Sequence, residues 1–246
     1  MGAFGTKLLE KLPRVADIVS FRFKRPEAYT FQPGQWFVVT FPSSDPQEPW
    51  EHHFSHSDAP SEPWLEFTTR MRGSDFKNAL DALPVGSPVQ LEGPFGTFVL
   101  PPDAERVAFL AGGIGITCVR SILRWLCDTC GTNAVPADPP RTPPQEIVLF
   151  FANHSEYLIP FKEELDEIAR DLPELRLVHV ISQPGEGWQG YRGHLDEKVM
   201  AAELPDSAGW RFFVSGPPSF DQAMRDMLLK WGIDDALIKT EAFLGY

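Results

Sequence analysis

Cysteine is scarce in these 246 residues: only Cys118, Cys127 and Cys130 occur. An odd trio builds no disulfide framework and suits a reducing compartment. Cys127 and Cys130 share a C-x-x-C spacing, but structural zinc or an iron-sulfur cluster needs about four ligands. No second cysteine pair or His-x-His spacing accompanies them, so they read as thiols at a helix end and no metal site is expected. Long apolar runs are missing as well. No stretch approaches the roughly 18 residues needed to cross a bilayer, and the start lacks the basic-then-apolar order of a secretory signal. A cytoplasmic protein without a transmembrane segment is expected. Basic charge is in deficit, 22 Lys and Arg against 34 Asp and Glu, for a formal charge of −12. Nucleic acid is therefore disfavoured as a partner, because its phosphates would be repelled at long range.

What the chain does have is an ordinary apolar share, 43%, enough to bury a sizeable core in one large or two small domains. Up to about residue 100 the apolar runs are short and separated by turn residues, at 15–23, 36–41, 65–69, 89–91 and 98–100. This spacing predicts a small antiparallel β-barrel. After Pro101-Pro102 the rhythm changes to strand-helix alternation, with strands predicted at 107–111, 147–152, 175–181, 212–214 and 237–240. That order predicts an α/β domain on a parallel sheet. The expected boundary divides residues 1–102 from residues 103–246. A Pro-rich stretch, 133–144, reads as a surface loop inside the second unit. No internal repeat is visible.

Gly112-Gly113-Ile114-Gly115-Ile116-Thr117 follows the first of those parallel strands and precedes a helical stretch. Such a turn lets the backbone approach a pyrophosphate and points the first N–H groups of the helix at it. Ser215-Gly216-Pro217-Pro218 lies at the end of a later strand, before a helix predicted over 220–231. Dinucleotides bind beyond the carboxyl ends of such strands, so the two turns form a candidate pair. In the first half, His52-His53-Phe54-Ser55 follows an extended segment, and Ser74-Asp75-Phe76-Lys77 opens a helix to residue 83 with Ser74 as N-cap. Lys77 then stands in a first turn, where a cation is disfavoured unless an anion binds there.

With Pro33-Gly34-Gln35-Trp36, Gly93-Pro94-Phe95-Gly96 and Glu241-Ala242-Phe243-Leu244-Gly245-Tyr246, these motifs resemble the ferredoxin-NADP reductase superfamily, in the same order, from about Asp17 to the last residue. The resemblance implies an FAD-binding barrel domain followed by an NAD(P)H-binding domain, with hydride passing from the nicotinamide to flavin N5 and electrons leaving to a separate acceptor. It also implies cofactor contacts at His52, Phe54, Ser55, Phe76, Lys77 and the Arg70-Met71-Arg72 segment. Gly112, Gly113, Gly115, Thr117, His154, Ser182, Gly216 and Pro217 would hold the nicotinamide nucleotide. Ser55, Ser215 and Glu241 would stand at the reacting atoms, and Tyr246 would either stack on the flavin or fray as a terminus.

The departures from the family pattern are informative. His52 replaces an arginine that holds flavin phosphate and Phe54 replaces a tyrosine, a form similar to that of ferric reductases, and Arg70 or Arg72 is expected to supply the missing cation. Ser215 replaces a cysteine and is less polarisable, which predicts slower hydride transfer. NADH and NADPH are both left open: Ser182-Gln183 lacks the arginine common in NADP-selective relatives, and Arg192 could compensate. The acceptor would be a ferredoxin, a cytochrome, an oxygenase component or a small molecule. The acidic total weighs against an acidic ferredoxin except through the basic stretch carrying Lys7, Lys11, Arg14, Arg22, Lys24 and Arg25. Alternative readings are the soluble reductase module of a ferric-reductase-like membrane system, a non-catalytic electron-transfer subunit, or a nucleotide-binding protein without flavin. Residues 1–6 formally fit a myristoylation pattern, which keeps peripheral membrane association open.

Overall fold

The computed structural model describes residues 2–45, 47–135, 142–204, 206 and 208–243. Tyr246 and residues 136–141 of the Pro-rich stretch 133–144 lie outside the described residues.

The first half is an antiparallel six-stranded sheet built from β1 (Phe4–Pro13), β2 (Ile18–Lys24), β3 (Trp36–Phe41), β4 (Trp50–Ser55), β5 (Trp64–Arg70) and β6 (Pro88–Phe95), in the order β4-β3-β6-β1-β2-β5. Period-two burial drives it: Phe37, Val39 and Phe41 of β3 point inward while their neighbours stay partly exposed. The two edge strands approach one another, and Phe54 of β4 lies face-on against Phe67 of β5 with ring centroids 3.9 Å apart. Helix α1 (Asp75–Ala82) packs Phe76 and Leu80 into this core, and the Ser74 hydroxyl caps it by accepting from the Lys77 N–H.

The second half is a six-stranded parallel sheet in the order β10-β9-β8-β7-β11-β12: β7 (Arg106–Gly112), β8 (Glu146–Asn153), β9 (Leu175–Ile181), β10 (Tyr191–Arg192), β11 (Trp210–Gly216) and β12 (Ile238–Ala242). Its central strands are buried on both faces, so β7 and β8 read as nearly unbroken apolar runs. α2 (Ile116–Cys130) and α3 (Lys162–Asp171) cover one face, α4 (Glu197–Glu203) and α5 (Pro218–Lys230) the other. The antiparallel-then-parallel architecture is the one the apolar rhythm predicts.

Two sequence expectations need correction. Residues 98–100 form no strand: Phe98 and Leu100 are buried side chains of the connecting segment, packed into the core under α2, and Phe98 meets Phe213 edge-on at 5.2 Å. The basic N-terminal stretch contains β1, which period reading missed because Leu8 alone is fully buried along it. Within that basic stretch, several side chains are drawn into internal bonds. Arg14 and Arg22 both engage the buried Glu66 carboxylate, at 3.1 and 2.7 Å, Arg25 donates to the carbonyls of Tyr29, Pro60 and Glu62, and Lys11 bonds the Asp81 carbonyl.

Candidate functional site

Two adjoining pockets open between the halves. The first draws His52, His53, Phe54 and Ser55 from β4, Thr68 and Thr69 from β5 and Lys77 from α1, and is closed from the other half by Glu241, Ala242 and Phe243 at the end of β12. The second, a cleft of about 270 Å³, is walled by Arg70 and Arg72 on one side. Facing them are Gly112, Gly113, Ile114, Ala152, Asn153, His154, Leu158, Ser182, Gly193, His194, Pro217 and Phe220 at the carboxyl ends of the parallel strands. The pockets meet where Thr69, lining one, is followed by Arg70, lining the other.

Electrostatically the first pocket is prepared for an anion. Lys77 is only 5% exposed; burial, and then the neighbouring Arg72 and Arg70, press its ammonium below the usual lysine range. Three cations thus gather at the amino end of α1, with the Asp17 carboxylate 3.6 Å from Arg70. Helix dipole and clustered charge together fit a bound phosphate. His52 does not act as the replacement cation. Burial first, then His53 and Lys77, hold its imidazole below the ordinary histidine range, and its ring stacks on Phe54 at 4.9 Å. Its Nδ1 lies 3.0 Å from the His53 carbonyl, so that Nδ1–H donates there and Nε2 is left as an acceptor.

Ser55 ends β4 against Trp36 of β3 and is 6% exposed at the pocket wall. Behind it His56, fully buried, is held between Asp58 at 2.8 Å and the Tyr29 hydroxyl at 3.1 Å and stacks on Phe31 at 3.7 Å. This rigid knot fixes the chain on which Ser55 sits. Glu241 pairs in register with Ser215 of the adjacent strand, and burial raises its carboxyl to about 7. Asp221, in the first turn of α5, is also raised to about 7, by burial and by Glu241, and its Oδ1 has no partner.

The glycine turn earns its composition residue by residue. Gly113 has φ +53 and nothing within 4 Å of an added Cβ, so its face toward the cleft is open. A Cβ on Gly115 would lie 2.3 Å from the Ser215 carbonyl. Phe220, whose ring lies within 2.9 Å of a Cβ on Gly112 and 2.7 Å of one on Gly216, explains those two positions. Thr117 carries a buried hydroxyl without a partner at the start of α2. An open left-handed glycine above an unsatisfied hydroxyl and a helix amino end suits a nucleotide pyrophosphate.

Several expected residues stand elsewhere. Ser215 is fully buried and donates its hydroxyl to the Gly115 carbonyl at 2.9 Å, so it braces the glycine turn and does not line either pocket. Phe76 and Met71 pack on the barrel core and line neither pocket. Gly115, Thr117 and Gly216 lie beneath the second cleft, whereas Gly112, Gly113, His154, Ser182 and Pro217 line it. Arg192, a suggested phosphate ligand, donates to the carbonyls of Gly185, Glu186 and Trp188. Sequence reading missed Thr68, Thr69, His194, Phe220 and Asp221, which carry no motif and are gathered only by the fold. It also missed Arg120 of α2, which bonds the Ser57 carbonyl at 2.6 Å and the Glu62 and Glu164 carboxylates, fastening the two halves together.

Among the described residues no helix is long and apolar enough to cross a membrane and no cluster of His, Cys, Asp and Glu could hold a metal ion. The sequence profile of the oxidoreductase NAD-binding domain matches residues 109–226. The glycine betaine monooxygenase reductase subunit of Pseudomonas aeruginosa is 31% identical over 236 residues, which cover 92% of this chain and 60% of that protein. A reductase component of naphthalene 1,2-dioxygenase/salicylate 5-hydroxylase systems from Ralstonia is 28% identical, covering 92% and 65%. The chain thus spans under two thirds of the length of these curated relatives. The ferredoxin NADP+ reductase of Neisseria gonorrhoeae, solved with bound FAD and NADP, superimposes with a TM-score of 0.80 at 19% identity, covering 98% of this chain and 99% of that one. Sequence likeness along nearly the whole chain, the nucleotide-domain profile and the shared two-sheet architecture agree: residues 109–226 match the oxidoreductase NAD-binding domain, the chain is similar to reductase subunits of oxygenase systems, and it has the two-domain fold of the ferredoxin NADP+ reductase.

Proposed function

We infer that the protein is an NAD(P)H-dependent flavin oxidoreductase, with residues 1–102 carrying FAD and residues 103–246 the nicotinamide nucleotide. The observation that carries this reading is the junction of the two pockets, which would bring a ring held by Ser55, Thr68 and Thr69 against one arriving over Gly112 and Pro217. FAD, when bound, would accept a hydride and release electrons singly. The protein's own part is positioning and charge. Lys77, Arg70 and Arg72 hold the anionic end of the flavin nucleotide. Ser55, fixed by the His56 knot, orients the ring, and Glu241, poised near neutrality, holds or gives up a proton at the pocket wall. Gly113 and the α2 amino end receive the pyrophosphate of the second nucleotide.

Relatives named as reductase parts of a glycine betaine monooxygenase and of a naphthalene dioxygenase system support an oxygenase component or its electron carrier as acceptor. Three free cysteines support a reducing, cytoplasmic setting. The test is the visible spectrum of the freshly purified protein, followed by anaerobic addition of NADH and NADPH. Flavin bands that bleach establish the reductase. Bands that persist with both donors point to a subunit that needs its partner, and a colourless protein that takes up no FAD defeats the flavoenzyme reading.

A further inference from the structure

The rim of the first pocket continues outward as an aromatic strip on the face of the barrel sheet that points away from its core. His53 of β4 is exposed and lines the pocket. Its ring meets Trp36 of β3 with centroids 5.5 Å apart, and Trp36 in turn meets Phe95 of β6 at 4.8 Å. The indole lies against Gly96, where a Cβ would stand 2.6 Å from it, so a residue without a side chain leaves room for the ring. Strand register sets Trp36 beside Ser55 on one side and Phe95 on the other. The strip therefore starts at the wall of the pocket and ends on the open surface.

The surface around this strip carries charge of one sign. Residues 26–69 and 78–105 contain no Lys or Arg, and these two spans hold all of β3, β4 and β6 with the loops that flank them. Asp45, Glu48, Glu51 and Glu92 are exposed there. In register, His53 and Glu92 flank Val38, and Glu51 and Gln90 flank Thr40, on the face that carries Trp36. An apolar patch with a polar rim marks an interaction surface, and a rim of one sign steers a partner of the opposite charge while repelling one of its own. A second copy of the chain would bring the same acids into a two-fold contact and is disfavoured. Electron transfer weakens steeply with distance, so an acceptor must come close to the pocket, and here the approach is aromatic and acidic.

We propose that the electron acceptor docks on the His53–Trp36–Phe95 strip and is a redox protein whose cofactor edge is apolar and ringed by Lys and Arg. The inference rests on the functional reading above. Its test uses the FAD-loaded protein, reduced with dithionite so that no nicotinamide nucleotide is needed, and mixed in stopped flow with mitochondrial cytochrome c, a basic one-electron acceptor with a lysine-ringed haem edge. Two ferric cytochromes take the two electrons of one anionic reduced FAD, and its N5 proton passes to solvent. The second-order rate at about 10 mM ionic strength should fall about tenfold by about 200 mM, because screening removes the attraction. Glu51→Lys with Glu92→Lys should lower the low-salt rate about fivefold or more. Glu167→Lys with Asp226→Lys, the same change of charge on exposed helix positions of the other half, should leave it within about twofold. Phe95→Ala should lower the rate at both ionic strengths with the flavin spectrum unchanged. Equal losses in the two double variants overturn the proposal, since net charge alone would then govern the rate, and so does a rate that rises with salt. A dimer in sedimentation that Phe95→Ala dissolves would give the strip to a second copy and also overturn it. A protein that takes up no FAD defeats the functional reading and the docking surface together, whereas a reducible flavin whose rates ignore Glu51, Glu92 and Phe95 defeats the docking surface alone.

Discussion

At the scale of single residues, the pocket is built from groups whose titration burial shifts from the ordinary range. Lys77 is a cation kept in a nearly closed site beside two arginines, an arrangement that a bound anion would relieve. Lys77→Met should therefore weaken FAD retention by about tenfold or more, read by ultrafiltration and flavin fluorescence. The apoprotein's Tm should hold or rise, because a penalised charge has been removed. Glu241 and Asp221 run the other way. Their carboxyls are raised to about 7 in the folded chain, so folding favours their protonated forms. The stability they contribute is complete below the ordinary carboxylate range and is lost as pH rises toward and through about 7. Thermal unfolding should show Tm falling over that window, and Glu241→Gln with Asp221→Asn should flatten the fall; an unchanged slope would refute the assignment. Phe54 and Ser55 were readable from the motif, but the neutral state of His52 follows from its burial between His53, Phe54 and Lys77, which no local sequence records.

At the scale of elements, the strand-turn-helix at β7 and α2 is legible because glycine is demanded by sterics as well as by ligand approach. Gly113 adopts a left-handed conformation with open space beside it, so Gly113→Ala should cost about 1 kcal/mol and mainly impair nucleotide binding. Gly115 abuts the Ser215 carbonyl, and Gly115→Ala should destabilise the protein by about 3 kcal/mol, measured by chemical denaturation. Equal effects at both positions would contradict this division of roles. The same packing alters the reading of Ser215. Its hydroxyl braces the turn through the Gly115 carbonyl, and Ser215→Ala should lower stability by about 1 kcal/mol, the usual worth of such a bond. Residues 98–100 misled as a strand because a short β-prone apolar run has the same composition whether it pairs or plugs a core; here it plugs the core under α2.

At the scale of the molecule, function depends on how the two sheets are fastened. Arg120 reaches from α2 to the Ser57 carbonyl and Glu62 of the barrel half while also meeting Glu164 of α3. Ser121 donates to the Asp58 carbonyl beside it. The guanidinium is 4% exposed on its side chain, so Arg120→Met should cost about 3 kcal/mol, chiefly by leaving carboxylates unpaired in a poorly hydrated seam. Denaturation followed separately by barrel and nucleotide-domain tryptophans would test the coupling: Arg120→Met should split one transition into two, and a single unshifted transition would deny the latch.

Composition and periodicity by themselves determined the two-part architecture, the parallel strands 107–111, 147–152 and 175–181, the capped helix at Ser74 and the two glycine turns. Each depends on local backbone sterics or on a repeating burial pattern written into neighbouring residues. Tertiary structure alone decided which groups face the pockets and with what charge. Arg14, Arg22 and Arg25 were drawn into internal bonds, Arg192 onto carbonyls of the adjoining loop, and Thr68, Thr69, Glu241 and Lys77 were assembled from three separate elements. Those outcomes depend on desolvation and on partners far apart in the chain, and neither is encoded in a residue's near neighbours.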